Sequence, residues 1–171
     1  MVDVLYQRRG VLTPAFQFLG GGDGESRLMG ALGVLGQPYY EDDAAAAAAM
    51  FVSLVKDHPF FDGNKRFAVV ATNVAMTRNG IILVLLGEEW EVLALDVARS
   101  ELDADQVARF FRDRLLDTRG HSIEEVAAMY VARTDIWGQN HLADVQEVLE
   151  TMIRVSNAFT AALDEISDDP T

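Results

Sequence analysis

Nine consecutive residues, His58-Pro59-Phe60-Phe61-Asp62-Gly63-Asn64-Lys65-Arg66, gather the groups that phosphate chemistry requires. An imidazole is suited to accept a proton near neutral pH, so His58 is a candidate base for a hydroxyl that must lose its proton as it attacks phosphorus. Asp62, four residues on, offers carboxylate oxygen to a hard cation such as Mg2+, which prefers carboxylate and phosphate ligands. Gly63 lets the backbone approach a ligand closely. Asn64 then opens a helix whose first N–H groups are unpaired and partially positive, a cradle for an anion. Lys65 and Arg66 add two cations to bind phosphate and stabilise charge in the transition state. Pro59 sets the entry angle, Phe60 reads as the anchor that buries the loop, and Phe61 has no role that its type or place suggests. A lone histidine is more often structural, and Asp before Gly-Asn is often a turn former, but the joint pattern outweighs both.

The spacing is neither of the commoner phosphate signatures. Asn64 separates Gly63 from Lys65, which excludes the G-x-x-x-x-G-K-[ST] loop, and no dinucleotide fingerprint is present.

The elements that must position these residues are helical. Asp42 and Asp43 precede six alanines, placing negative charge at the start of a strong helix former that runs to about Lys56, with Met50, Phe51, Leu54 and Val55 facing the core. After the loop, a helix from Asn64 carries apolar residues on nearly every face and ends at Asn79-Gly80, so it belongs in the centre. Ser26 is expected to cap a short helix with Leu28, Met29, Leu32 and Leu35 that ends before Pro38, and Gly20 to Gly24 should form a flexible loop. Ile81 to Leu86 reads as a strand-like crossing or a buried turn. Helix resumes over Gly87 to Arg99. Asp103 to Gln106 fits a capping pattern ahead of a stripe formed by Val107, Phe110, Phe111 and Leu115. Beyond Asp117, Ser122 to Glu125 forms a capping box before an amphipathic helix. A second C-terminal helix from near Asn140 carries a heptad seam of Leu142, Val145, Leu149, Met152, Phe159, Leu163 and Ile166. The seam over 140–166 either folds back on the rest of the chain or forms a homodimer or partner groove.

Length and composition bound the function. At 171 residues the chain fits one domain with an ordinary core, and without cysteine it has neither disulfides nor thiolate metal sites, in keeping with a reducing cytoplasm. His58, His121 and His141 do not fall at a zinc spacing. The longest nearly apolar stretch, Ala44 to Val55, is too short for a bilayer, so no membrane role is expected. A net charge of −13 argues against a nucleic-acid footprint. From Asp117 onward eleven acidic residues stand against three basic ones, a net −8 best explained by solvated helix faces.

The nine residues resemble the central motif of the Fic/Doc family, roughly H-x-F-x-D/E-G-N-G/K-R, and every position of that pattern is filled. The likeness extends from about Gly21, through a double glycine, a basic residue and a short Leu-rich helix, to Asp117. Tyr39-Tyr40-Glu41 falls where the family places a flap that pairs with a target peptide. The resemblance implies an all-α fold with a central buried helix after the active-site loop. It divides the chain into an N-terminal arm (1–19), a catalytic core (20–117) and an additional C-terminal helical extension (118–171). It also implies ATP as substrate with Mg2+, His58 as base, Asp62 as metal ligand, and Gly63, Asn64, Lys65 and Arg66 on the phosphates. The family divides at Lys65. Members with glycine there transfer AMP to a protein hydroxyl, whereas Doc-like toxins with lysine move the terminal phosphate onto elongation factor Tu and are restrained by a small antitoxin. Lys65, together with Val69 in place of a second arginine, points to the Doc-like branch. AMP transfer is the alternative, and a catalytically idle interaction module built on the C-terminal seam is the third reading.

Overall fold

Alanine dominates the helix against which the others pack. The computed structural model describes residues 18–20, 22–35, 37–38, 40–134, 146–147, 149–154 and 157. In chain order the elements are α1 (Asp23–Leu32), α2 (Asp43–Lys56), α3 (Asn64–Arg78), β1 (Ile81–Leu83), α4 (Gly87–Ala98), α5 (Ala104–Arg112), β2 (Leu115–Asp117) and α6 (Ile123–Thr134). Residues 146–147 and 149–154 are also helical. The fold is thus mostly helical, as expected, with one small antiparallel sheet.

Asp42 caps α2 by accepting the Ala45 N–H at 2.8 Å. Ala44, Ala47 and Ala48 are fully buried, and their small side chains let neighbouring helices approach closely. The α2 helix packs most extensively on α5 and α3. Met50, Phe51, Leu54 and Val55 are fully buried, as their spacing predicts. Phe51 meets Trp90 of α4 at 5.6 Å and Phe111 of α5 at 6.0 Å, and those two rings lie 5.7 Å apart, so one aromatic triangle joins three helices. Tilted and edge-on pairs of this kind add about 0.5–1.5 kcal/mol each beyond their buried area.

The α3 helix occupies the centre. From Phe67 to Thr77 no residue is exposed, which fits its nearly continuous apolar sequence. Thr72 is fully buried, and among the described residues its hydroxyl has no hydrogen-bond partner.

The expected crossing at Ile81 is a strand pairing Ile82 with Leu116 and Leu83 with Leu115. Its alternation serves two clusters. Ile81, Leu83 and Leu85 enter the main core, whereas Ile82 and Val84 join Leu116, Val126 and Ala127 of α6, and Leu149 in a second one. Leu149 is 1% exposed, with Met152 packed beside it. Of the remaining seam positions, Leu142, Val145, Phe159, Leu163 and Ile166 lie outside the described residues, as do residues 1–17 of the N-terminal arm.

Both predicted capping boxes form. Asp103 and Gln106 exchange bonds of 2.9 and 2.8 Å, and Ser122 and Glu125 do the same at 2.8 and 3.3 Å. Three expectations need correction. The first helix starts at Asp23, with Gly22 as its N-cap, and not at Ser26, so the last two residues of the expected glycine loop are helical. Glycine at position 24 costs helix propensity, but a Cβ there would lie 2.3 Å from the Pro59 carbonyl oxygen, so close packing decides its identity. The helix ends before Pro38, as expected, but it closes at Leu32, so Leu35 lies in the turn that follows. Leu115 lies in β2, because α5 closes at Arg112 and the chain turns to pair with β1.

Arg112 returns from the end of α5 to the start of α2, with Nε donating to Asp42 Oδ2 at 2.6 Å and Nη2 to Glu41 at 3.2 Å. The hydrogen bond from Arg112 holds the Asp42 carboxyl below its usual value.

Two outcomes follow from these contacts. Thr72→Val removes a buried hydroxyl that has no partner among the described residues and should raise stability by about 1 kcal/mol, roughly 2–4 °C in Tm for a chain of this size, read by thermal unfolding. Arg112→Met should lower Tm at pH 7. Because the folded Asp42 carboxyl titrates below its unfolded value, its contribution is complete above the unfolded carboxylate range and is lost as pH falls through the folded value. The Tm difference between variant and wild type should therefore close as the pH falls below about 4.

Candidate active site

The loop between α2 and α3 sorts its residues into two sides. Pro59 is fully buried and Phe60 nearly so, whereas His58, Phe61, Asp62, Lys65 and Arg66 are exposed. The buried side is an aromatic anchor. The Phe60 ring stacks on Phe18 at 5.3 Å and meets Phe67 of α3 edge-on at 4.9 Å. Phe18 also forms an isolated antiparallel bridge with Phe60, so the chain at Phe18 lies against the loop.

Asn64, 8% exposed, ties the loop to the helix that follows. Its Oδ1 accepts the Phe60 N–H at 2.9 Å and its Nδ2 donates to the Phe60 carbonyl at 2.7 Å. Both ends of the carboxamide are thereby occupied. The expected contact of this residue with phosphate therefore comes down to its main-chain N–H.

Gly63 is the N-cap of α3 with φ 81°, a left-handed conformation that side-chain-bearing residues adopt only at a cost. Its N–H donates to Asp62 Oδ1 at 2.6 Å. The first rung of α3 is the bond from the Phe67 N–H to the Gly63 carbonyl, at 2.8 Å. The amides of Asn64 and Lys65 precede that rung, at the positive end of the helix dipole.

The Asp62 side chain is 86% exposed, and its Oδ2 lies 3.5 Å from Arg66 Nη2, itself on a side chain 61% exposed. A pair this open to solvent is weak and is easily exchanged for another ligand. Among the described residues no group of three or more His, Asp or Glu side chains could form a metal cage. Mg2+ does not require one: it commonly takes one or two carboxylates and completes its shell with water and phosphate oxygens, so a solvent-facing Asp62 fits it.

His58 has φ 48°. A non-glycine residue in this region marks local strain, tolerated where the surroundings enforce it and concentrated at functional sites. The neighbouring carbonyls are both held: Arg27 Nη1 donates to that of Asp57 at 2.6 Å, and the Leu19 N–H to that of Pro59 at 2.9 Å.

Phe18, Leu19 and Arg27 were not singled out as site residues in the sequence, where the glycines around them read as a flexible loop and a basic residue entered only as part of the family likeness. Phe61, 65% exposed, stands on the outer side of the loop without a partner among the contacts described. Of the expected flap, Tyr40 is half-buried, Glu41 pairs with Arg112, and Tyr39 lies outside the described residues. His121 pairs with Glu125 at the start of α6 at 3.5 Å, apart from the loop in sequence. No helix among the described residues is long and apolar enough to cross a membrane.

Residues 28–76 match the family model described as the Fic/DOC family. The matched stretch runs from within α1 through α2 and the loop into α3, so it includes all nine residues from His58 to Arg66. No curated protein matches the chain.

The double bond from Asn64 gives a direct prediction. Asn64→Ala removes both hydrogen bonds to the buried Phe60 backbone and should cost about 1–3 kcal/mol in urea unfolding. Asn64→Asp keeps an acceptor for the Phe60 N–H while losing the donor to its carbonyl, and should fall between wild type and the alanine variant.

Proposed function

We propose that the chain is a nucleotide-dependent transferase that modifies a protein hydroxyl, and that it moves the terminal phosphate of ATP in the manner of Doc-like toxins. The observation that carries this reading is the sorting of the loop. Its inner side is pinned by Asn64, Phe18 and Phe67, and its outer side presents His58, Asp62, Lys65 and Arg66 at the start of a central helix.

In this mechanism His58 accepts the proton of the acceptor hydroxyl as it attacks phosphorus, a contribution of about 10²–10⁴ in rate for a well-placed base. The main-chain N–H groups at the start of α3 hold phosphate oxygens, and Lys65 and Arg66 balance the charge that develops on the transferred group. Asp62 would hold Mg2+, which when bound neutralises phosphate charge. Arg66 already stands beside Asp62, so the same arginine can turn from the carboxylate to a phosphate when nucleotide arrives. Lys65, exposed at the second helical position, fills space that a glycine would leave open, and this favours transfer of the terminal phosphate over AMP. By the same resemblance the acceptor is a threonine of elongation factor Tu, the consequence is arrest of translation, and restraint comes from a separate small antitoxin.

The test is label transfer from γ-labelled and α-labelled ATP in parallel, with magnesium and purified elongation factor Tu, beside a His58→Ala control. Transfer of the γ label alone, reduced at least about 10²-fold by His58→Ala, is the expected result. Transfer of the α label would replace phosphate transfer with AMP transfer. Movement of neither label, onto purified target or any protein of a lysate, would refute the transferase reading.

A further inference from the structure

The strained backbone of His58 needs something to hold it. A histidine at φ 48° sits in a region that costs an L-residue on the order of 1 kcal/mol, and such a conformation persists only where the surroundings over-determine it. Three of the four carbonyls from Asp57 to Phe60 have identified partners from outside the loop. Arg27 Nη1 donates to Asp57 O at 2.6 Å, the Leu19 N–H to Pro59 O at 2.9 Å, and Asn64 Nδ2 to Phe60 O at 2.7 Å. The first two bracket His58 itself, and both come from α1 or the segment leading into it.

The geometry points to Arg27 as a positioning residue for His58. Its guanidinium fixes the carbonyl on one side of the histidine while Leu19 fixes the other, so that α1 acts as a brace for the loop. Arg27 is exposed and is not one of the nine residues to which the reaction is assigned. Gly24 supports the same brace from the helix side. Its N–H donates to Leu19 O at 3.2 Å, and a Cβ at this position would lie 2.3 Å from Pro59 O, so the α1 backbone packs directly against the loop. The effect expected of this contact is on orientation. A base displaced by about 1 Å loses rate by as much as 10²-fold while the substrate still binds.

The inference rests on His58 being the base of the proposed transferase, and the experiment separates the two claims. Full-length wild type, Arg27→Met, Arg27→Lys and Gly24→Ala are compared by thermal unfolding, by the backbone amide resonances of Asp57, His58 and Phe60, and by steady-state label transfer from ATP. Arg27→Met should melt close to wild type, displace or broaden those three resonances, and lower kcat roughly 10–100-fold while KM for ATP changes less than about twofold. Arg27→Lys, which keeps a donor, should recover part of both effects. Gly24→Ala should move the same resonances by pushing on Pro59 from the other side, and it keeps the claim testable should Arg27→Met prove poorly folded. Unchanged loop resonances in Arg27→Met would overturn the inference. So would a rise in KM with kcat unchanged, which would make Arg27 a substrate contact. If wild type transfers no label, the transferase reading fails, and the resonances still decide whether Arg27 positions the loop.

Discussion

The carboxamide of Asn64 spans the backbone of Phe60, and the geometry of the loop follows from that one contact. Both hydrogen bonds are buried with the ring, so releasing the clamp would break two of them in the interior. The loop therefore has to enter α3 along one path. That path puts Phe60 between Phe18 and Phe67, buries Pro59 beside it, and turns Gly63 left-handed to start the helix. His58 and Asp62 are carried to the solvent side by the same turn. Burial of the inner residues and exposure of His58 and Asp62 are thus two results of one constraint.

A clamp orders a loop only as well as the helices at its ends are held. Here α3 has no exposed residue along its middle, and α2 is built from alanines that sink into its neighbours. The aromatic triangle of Phe51, Trp90 and Phe111 fixes α2 against α4 and α5 without adding any group to the site. The strand after α3 is buried on both faces, its odd positions in the main core and its even ones beneath α6 and Leu149. Covering the second face is one physical reason for chain beyond Asp117: Ile82 and Leu116 would otherwise lie in water.

Much of this was legible in the sequence because it depends on local chemistry. The caps at Asp42, Asp103 and Ser122 are side chains bonding within three residues of themselves, and the core of α2 follows from a period of 3.6. The anchor role of Phe60 was read from its type and its place in the motif, and the structure buries it while leaving the neighbouring Phe61 exposed. What could not be read depends on contacts far apart along the chain. Glycine is punctuation by propensity, so Gly22 to Gly24 read as loop; only the presence of Pro59 against Gly24 shows why a glycine belongs in the first turn of a helix. Leu115 continued a helical stripe until pairing with β1 claimed it. The carboxamide of Asn64 suited a phosphate equally well on paper, and it was the carbonyl of Phe60, four residues back, that took it.

That division has a consequence for how a phosphate ligand would be received. The parts that would be costly to rearrange, the backbone from Asp57 to Phe60 and the start of α3, are tied down before any ligand arrives. The parts that must rearrange face solvent: the contact between Asp62 and Arg66 is long, at 3.5 Å, and exposed, and Lys65 is exposed. Preorganised donors lower a barrier because they need no reorientation as charge develops, whereas side chains in water can exchange partners at little cost. An anion settling on the α3 amides would meet a frame already in place, and drawing Arg66 from Asp62 would free a carboxylate oxygen for a cation in the same movement.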